Sequence, residues 1–249
     1  MALSDPLTRY ITCVLACGQY SNAFNLRQYV SFMFEGVDLE GKRVLDVGGG
    51  TGLLTLYAAV RGAEAICLEP EADGATSGAA LHFARMESCI DTGGRARLLP
   101  AAFQGFLDEQ PFDVIVMANS INHLDEEACV RLAHDDAAQA TYHAIFRKAW
   151  HLLRDGGVLI ITDCDRSNVF NDLGLRSPFC PTIEWHKHQH PRLWDRLLQR
   201  AGFLPARYEW TSPNRLGRLG RFLLGNRVAA YFLLSHFRLV ARKPGPGTP

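Results

Sequence analysis

The chain has no excess of charge: 26 Lys and Arg balance 26 Asp and Glu over 249 residues. That balance excludes a uniformly basic nucleic-acid binder and an acidic solvated tail as descriptions of the whole. There is no C-x-x-C pair. Seven cysteines, at 13, 17, 67, 89, 129, 164 and 180, are odd in number and scattered, so neither a disulfide framework nor a zinc ribbon is expected. A reducing, cytoplasmic compartment fits that usage. No run of about 18 uncharged apolar residues exists, which leaves no candidate spanning helix. The N-terminus has no basic leader, and Asp5, Thr8 and Arg9 interrupt its apolar residues. It reads as a helix and not as a signal peptide. Repeats are absent, and the only biased segment is the tail KPGPGTP. What remains is 47% apolar and 21% charged, enough for one large domain or one domain with insertions.

Punctuation and periodicity give an alternating order. Ser4 or Asp5 can cap a first helix, with Pro6 in its first turn, Leu7, Tyr10, Ile11 and Val14 on one face, and Gly18 as its stop. A second helix is predicted over about residues 25–34. Short apolar, β-prone runs follow at 43–47, 65–68, 95–99, 112–118 and 158–162, separated by stretches of helical spacing. Pro191 opens a helix that Gly202 closes. Residues 206–210 and 231–242 read as the last two strands, with no convincing long helix between them. The expectation is an α/β fold: a doubly wound, seven-stranded, mostly parallel sheet with an antiparallel final strand pair and helices on both faces. The tail, 244–249, is expected to fray.

The strongest local signal is VLDVGGGTG, residues 44–52. Glycines after a first parallel strand let the backbone approach a ligand and turn tightly into the next helix. A dinucleotide fingerprint, G-x-G-x-x-G, would need glycine at 53 when counted from Gly48. Leu53 stands there, which speaks against a nicotinamide-dependent reductase. The pattern present is Asp46, Gly48, Gly50 and Gly52 at alternate positions, with Glu69-Pro70 ending the next apolar run.

This resembles the first motif of the class I, Rossmann-like S-adenosylmethionine-dependent methyltransferases of the small-molecule type. The resemblance runs from about residue 25 to 243. It implies S-adenosyl-L-methionine as cofactor. Asp46, Gly48, Gly49, Gly50 and Gly52 would lie under its methionine part, and Glu69, followed by Pro70, would take both ribose hydroxyls. The family's acid after the third strand is missing from PAAFQ, residues 100–104, which leaves adenine to backbone groups around Ala102, packing from Phe103, or Gln104. The resemblance makes residues 1–36 an N-terminal helical lid, with Tyr20 over the cofactor, on a methyltransferase domain spanning 37–243. Acceptor-side insertions are then expected at about 163–190 and 211–230.

The segment after the fourth strand, NSINHL at 119–124, is not an N/D-P-P-Y motif, which argues against methylation of nucleic-acid base amines. The resemblance turns Asn119 toward the transferred methyl and makes His123 the first candidate base. A second cluster, EWHKHQH at 184–190, follows Asp163, Asp165 and Asn168. If it is extended, His186, His188 and His190 point one way. His186 and His188 are then alternative bases or acceptor contacts. Asp163 matches a magnesium-binding carboxylate of the catechol-type relatives, but Cys164 stands where their amide ligand would be, so no metal is expected. Beyond Glu209 there are seven basic side chains and no acidic one. Arg215, Arg218 and Arg221 recur beside Leu216 and Leu219, an arrangement suited to weak contact with an anionic membrane or lipid-linked ligand. Together these readings describe a methyltransferase acting on a small-molecule or glycan-like acceptor, at oxygen, through a histidine base. A non-catalytic cofactor-binding partner protein and a nucleic-acid methyltransferase are the alternatives. The acceptor and the oligomeric state are not legible.

Overall fold

A computed structural model describes residues 5–70 and 76–247 of the chain. They form two compact units, Met1–Val116 and Met117–Pro249. The first begins with two helices, α1 (Pro6–Ala16) and α2 (Ala23–Met33). Next come β1 (Arg43–Val47), α3 (Leu53–Val60), β2 (Glu64–Leu68), α4 (Ala79–Glu87) and β3 (Ala96–Leu99). β4 (Phe112–Ala118) runs across the boundary. The second unit continues with α5 (Glu126–Arg131), α6 (Asp136–Leu152), β5 (Leu153–Cys164), α7 (Val169–Asp172) and α8 (Pro191–Arg200). It ends with β6 (Arg207–Trp210), α9 (Gly217–Leu224), α10 (Arg227–Phe232) and β7 (His236–Arg242).

The seven strands form one sheet in the order β3-β2-β1-β4-β5-β7-β6. β1 pairs in parallel with β2 and β4, β2 pairs in parallel with β3, and β7 runs antiparallel to both β5 and β6. The order reverses after β1, which places the switch point of the sheet between β1 and β4. The central strands are buried along nearly their whole length, as strands covered on both faces must be.

Local chemistry explains the helix starts. The Asp5 carboxylate accepts the Thr8 amide to cap α1, and the buried face holds Tyr10, Ile11, Cys13 and Val14. Asn22 caps α2, so that helix starts two residues earlier than the sequence pattern suggests. Two expectations are corrected by the structure. Residues 231–232 are helical, because Asn226 caps α10, and β7 starts only after a turn at Ser235, whose φ is +51°. The segment before it is two short helices broken at Gly225. β5 also begins earlier than expected, at Leu153, and takes in the Asp155-Gly156-Gly157 turn signal.

Candidate functional site

In the first unit the chain leaves β1 with Asp46 buried and turns through the glycine loop. Two glycines are required by space. A Cβ on Gly49 would lie 2.6 Å from both an Asp46 carboxylate oxygen and the Cys67 sulfur. Gly52 has φ +81°, and a Cβ there would meet the Phe83 ring at 2.2 Å. The loop is pinned by Glu69. Its Oε2 accepts the Gly50 amide and its Oε1 accepts the Thr76 amide, both at 2.8 Å. Glu69 therefore stands where the sequence puts it, buried beside the loop, but it also fixes the loop's backbone. Its carboxylate keeps further lone pairs for a diol. Pro70 follows half-buried, and residues 71–75 lie outside the described residues.

Asp46 is 1% exposed. Thr55 donates to its Oδ2 at 2.8 Å, while Oδ1 is buried with no partner among the described residues. Burial pushes its carboxyl up to about 6, Thr55 pulls the other way, and the Glu69 charge adds to the rise. Tyr10 of α1 and Tyr29 of α2 stand near it, in contact with Tyr57 of α3 and Tyr20 of the loop between α1 and α2. Tyr20 stacks on Tyr29, with ring centroids 6.3 Å apart, and Tyr10 meets Tyr57 edge-on at 5.6 Å. Burial raises the Tyr29 hydroxyl, and after burial the Asp46 and Tyr20 charges raise it further, so both groups lie within electrostatic reach of Tyr29. Tyr10 and Tyr29 were missed from the sequence, because a tyrosine at helical spacing reads as core. An unpartnered buried carboxylate oxygen beside a glycine-lined backbone and an aromatic wall fits the cationic methionine end of S-adenosylmethionine. The adenine side is thinner. Ala102 is exposed, but Phe103 is buried in the core and offers no open ring face.

In the second unit, Asn119 follows β4 with φ +53°, a left-handed conformation that asparagine tolerates better than most residues. Its amide donates to the Thr162 carbonyl at 2.8 Å. A 3-10 turn over Ile121–His123 comes next, anchored by the Tyr142 hydroxyl on the Ile121 carbonyl. His123 is exposed. Its Nδ1 contacts Glu126 at 2.5 Å and its Nε2 lies 3.4 Å from the Asn122 amide. Glu126 is shared with Lys187 at 3.0 Å. Lys187 first and His123 second hold Glu126 below the usual carboxylate range.

The histidine cluster does not form one face. Trp185–Lys187 is a 3-10 turn, which breaks the alternation that extended backbone would give. His186 is exposed and makes no hydrogen bond among the described residues. His190 caps α8, accepting the Arg192 amide, and burial, then Arg227, depresses it to about 4. His188 makes the closer contact with an acid: its Nδ1 lies 2.8 Å from Asp163 Oδ1, while His190 Nε2 stands 3.6 Å from Asp165 Oδ2. Asp163 is 1% exposed, and its Oδ2 has no partner among the described residues. One oxygen of the carboxylate noted as a magnesium ligand in relatives thus faces a histidine. Gln189 fixes the adjacent backbone by donating to the Cys129 carbonyl. A cavity of about 490 Å³ opens nearby in the chain, lined by Asp165, Asp172, Trp210, Arg227 and Tyr231 among others. Asp165 is buried, and burial pushes its carboxyl up to about 6.

Residues 21–205 match a family model described as a methyltransferase domain. Many solved structures share the fold. A protein from Listeria monocytogenes assigned as an S-adenosylmethionine-dependent methyltransferase has 13% identity and a TM-score of 0.59, over 89% of this chain and 99% of that one. Phosphoethanolamine N-methyltransferase 2 of Haemonchus contortus, bound to S-adenosylhomocysteine, has 15% identity and a TM-score of 0.59, over 94% of this chain and 57% of that one. Magnesium protoporphyrin IX methyltransferase of Synechocystis, also with S-adenosylhomocysteine, has 16% identity and a TM-score of 0.55, over 88% and 81%. This chain spans little more than half of the Haemonchus protein. Among curated proteins, none matches the sequence.

Proposed function

The chain belongs to this methyltransferase family and uses S-adenosylmethionine, and from that premise we propose that it methylates a hydroxyl of a small polar acceptor with His188 as general base. When bound, the cofactor supplies a sulfonium-activated methyl group. The protein's part is to hold it, exclude water, align the acceptor and remove one proton. Gly50, Glu69 and Asp46 serve the first task. The last falls to His188, and the observation that carries this choice is its 2.8 Å contact with buried Asp163. A carboxylate on Nδ1 fixes that nitrogen as the proton-bearing one and leaves Nε2 as the basic one. Asp163 is then a positioning residue. His123 is the weaker candidate, since both its ring nitrogens already have neighbours and it is open to water. His186 has no orienting partner.

The cavity beside β5 suits a hydroxylated, sugar-like or similar ring. The Trp210 face offers stacking, Asp165 accepts hydroxyl donors, and Arg227 favours an acidic substituent. Transfer of labelled methyl into a panel of hydroxylated acceptors tests the reading. Loss of general-base catalysis costs about 10²–10⁴-fold, so His188→Ala is expected to fall by that much while still binding S-adenosylhomocysteine. Asp163→Asn is expected to lower turnover without weakening cofactor binding. A His188→Ala protein as active as wild type, across pH 5.5 to 8, would remove His188 from the chemistry. No transfer to any acceptor, with tight cofactor binding intact, would instead favour a non-catalytic binding partner.

A further inference from the structure

Three of the seven cysteines converge at one place in the first unit. Cys13 and Cys17 lie one helical turn apart at the end of α1, and the Cys17 amide donates to the Cys13 carbonyl at 2.9 Å. Cys89 lies just past the end of α4. The three sulfurs all lie within 4.8 Å of one another. Sequence spacing alone could not show this, because Cys89 is 72 residues from Cys17. The convergence is held from several sides. Cys13 Sγ faces the Met86 carbonyl at 3.5 Å, Cys89 Sγ faces the Arg85 carbonyl at 3.4 Å, and the Cys89 amide is tied to the Met86 carbonyl at 3.0 Å. Arg9 of α1 and Asp91 are 3.9 Å apart across the same junction.

We propose that Cys13, Cys17 and Cys89 form a binding site for one thiophilic closed-shell cation, Zn²⁺ being the first choice. Zinc–thiolate bonds are about 2.3 Å, so three sulfurs around one ion sit roughly 4 Å apart. The observed cluster needs only a small contraction to reach that spacing. Thiolates select zinc or Cu⁺ over magnesium or calcium, and zinc imposes no angular preference of its own. The burial is graded: Cys13 is buried, Cys17 is half-buried and Cys89 is exposed. That gives an anchored inner ligand and an open outer side for entry and for a water in the fourth position. Three thiolates and Zn²⁺ leave one net negative charge, and Arg85 stands in the last turn of α4 to offset it. Binding releases the thiol protons and ties α1 to the end of α4. α4 carries Phe83, the ring against Gly52, and α1 carries Tyr10, so the clamp would stiffen the frame around the glycine loop.

The test uses the full chain, reduced and freed of metal. Cd²⁺ is titrated in while ultraviolet thiolate-to-metal charge-transfer absorbance is followed, with Zn²⁺, Cu⁺ and Mg²⁺ as competitors. We expect saturation at one equivalent, displacement by Zn²⁺ or Cu⁺ and none by Mg²⁺, and a thermal midpoint that rises with zinc. Outer-shell partners of a metal are commonly worth 10–100-fold, so losing a ligand in Cys17→Ser or Cys89→Ser is expected to weaken binding by at least about 100-fold. Cys180→Ser is expected to change nothing. Both test positions are at least partly open to solvent, so their loss spares the core. Failure to saturate near one equivalent, or a band that persists in Cys89→Ser, would overturn the proposal. So would a mass lower by two hydrogens, showing that the cluster closes as a disulfide in place of holding metal.

Discussion

Asp46 is a carboxylate held at a cost. Burial raises its folded-state value from 3.8 to about 6. The folded chain therefore binds more protons than the unfolded one between those values, and stability falls as pH rises through that window. A rise of that size corresponds to on the order of 3 kcal/mol, an upper figure that is fully felt above about pH 6. Asp46→Asn is expected to stabilise the ligand-free protein at pH 7 in urea unfolding and to leave it nearly unchanged at pH 4. A variant equally destabilised at both values would contradict this. The same substitution is expected to weaken cofactor binding, because the free Oδ1 is the group that a cationic ligand would satisfy. A strained apo site that a ligand relieves is the usual trade at a functional position. His188 is the opposite case, a proposed base whose orientation rests on one buried acid.

Among the elements, the glycine loop and the α9–α10 segment make different demands. Gly49→Ala must displace a buried carboxylate or a buried sulfur, and Gly52→Ala must displace Phe83 from a left-handed backbone. Overpacking of that kind costs roughly 1–3 kcal/mol, so both variants are expected to melt lower, with Gly49→Ala also losing cofactor affinity. A Gly49→Ala protein with wild-type melting would mean that the loop is looser than these distances require. α9 and α10 present Leu219, Phe222, Leu223, Val228 and Phe232 to solvent, Phe222 being 84% exposed. Arg215, Arg218 and Arg227 are exposed beside them. We propose that this face rests on an anionic bilayer, which would put the Arg227 and Tyr231 wall of the cavity at the lipid surface. At about 1 kcal/mol per basic residue, Arg215→Ser/Arg218→Ser is expected to bind phosphatidylglycerol vesicles about 30-fold more weakly at low salt. Phe222→Ser/Leu223→Ser is expected to lose binding as well. Wild-type protein that fails to sediment with anionic vesicles, or that forms a dimer abolished by Phe222→Ser, would assign the face elsewhere.

Across the full chain, the alternating order of strands and helices and the reversed final pair were legible because buried parallel strands leave short apolar runs between glycine stops. The glycine loop was legible because its residues are contiguous, and Glu69, one strand further on, holds its backbone. The proposed base was only half legible. His188 was named with His123 and His186, but its partner Asp163 lies 25 residues away and no spacing rule joins them. The 3-10 turn that turns His186 outward is likewise set by packing, with Trp185 buried and Gln189 pinned. Of the seven basic side chains beyond Glu209, Arg238 and Lys243 are buried, the latter on the Leu153 carbonyl at 2.8 Å, which no charge count could show. No helix among the described residues is long and apolar enough to cross a membrane.

The glycine loop and Glu69 carry the functional reading as the seat of S-adenosylmethionine, and calorimetric titration with S-adenosylhomocysteine probes them without any acceptor. Wild type is expected to saturate at one ligand per chain and to ignore NADH. On this reading Glu69 would accept the ligand's hydroxyls while it holds the Gly50 amide, so its removal would delete charge-assisted hydrogen bonds worth about 1.5–3 kcal/mol. Glu69→Ala is therefore expected to bind at least tenfold more weakly, with Glu69→Gln in between. No saturable heat in wild type, or equal affinity in Glu69→Ala, would leave the loop without its assigned ligand.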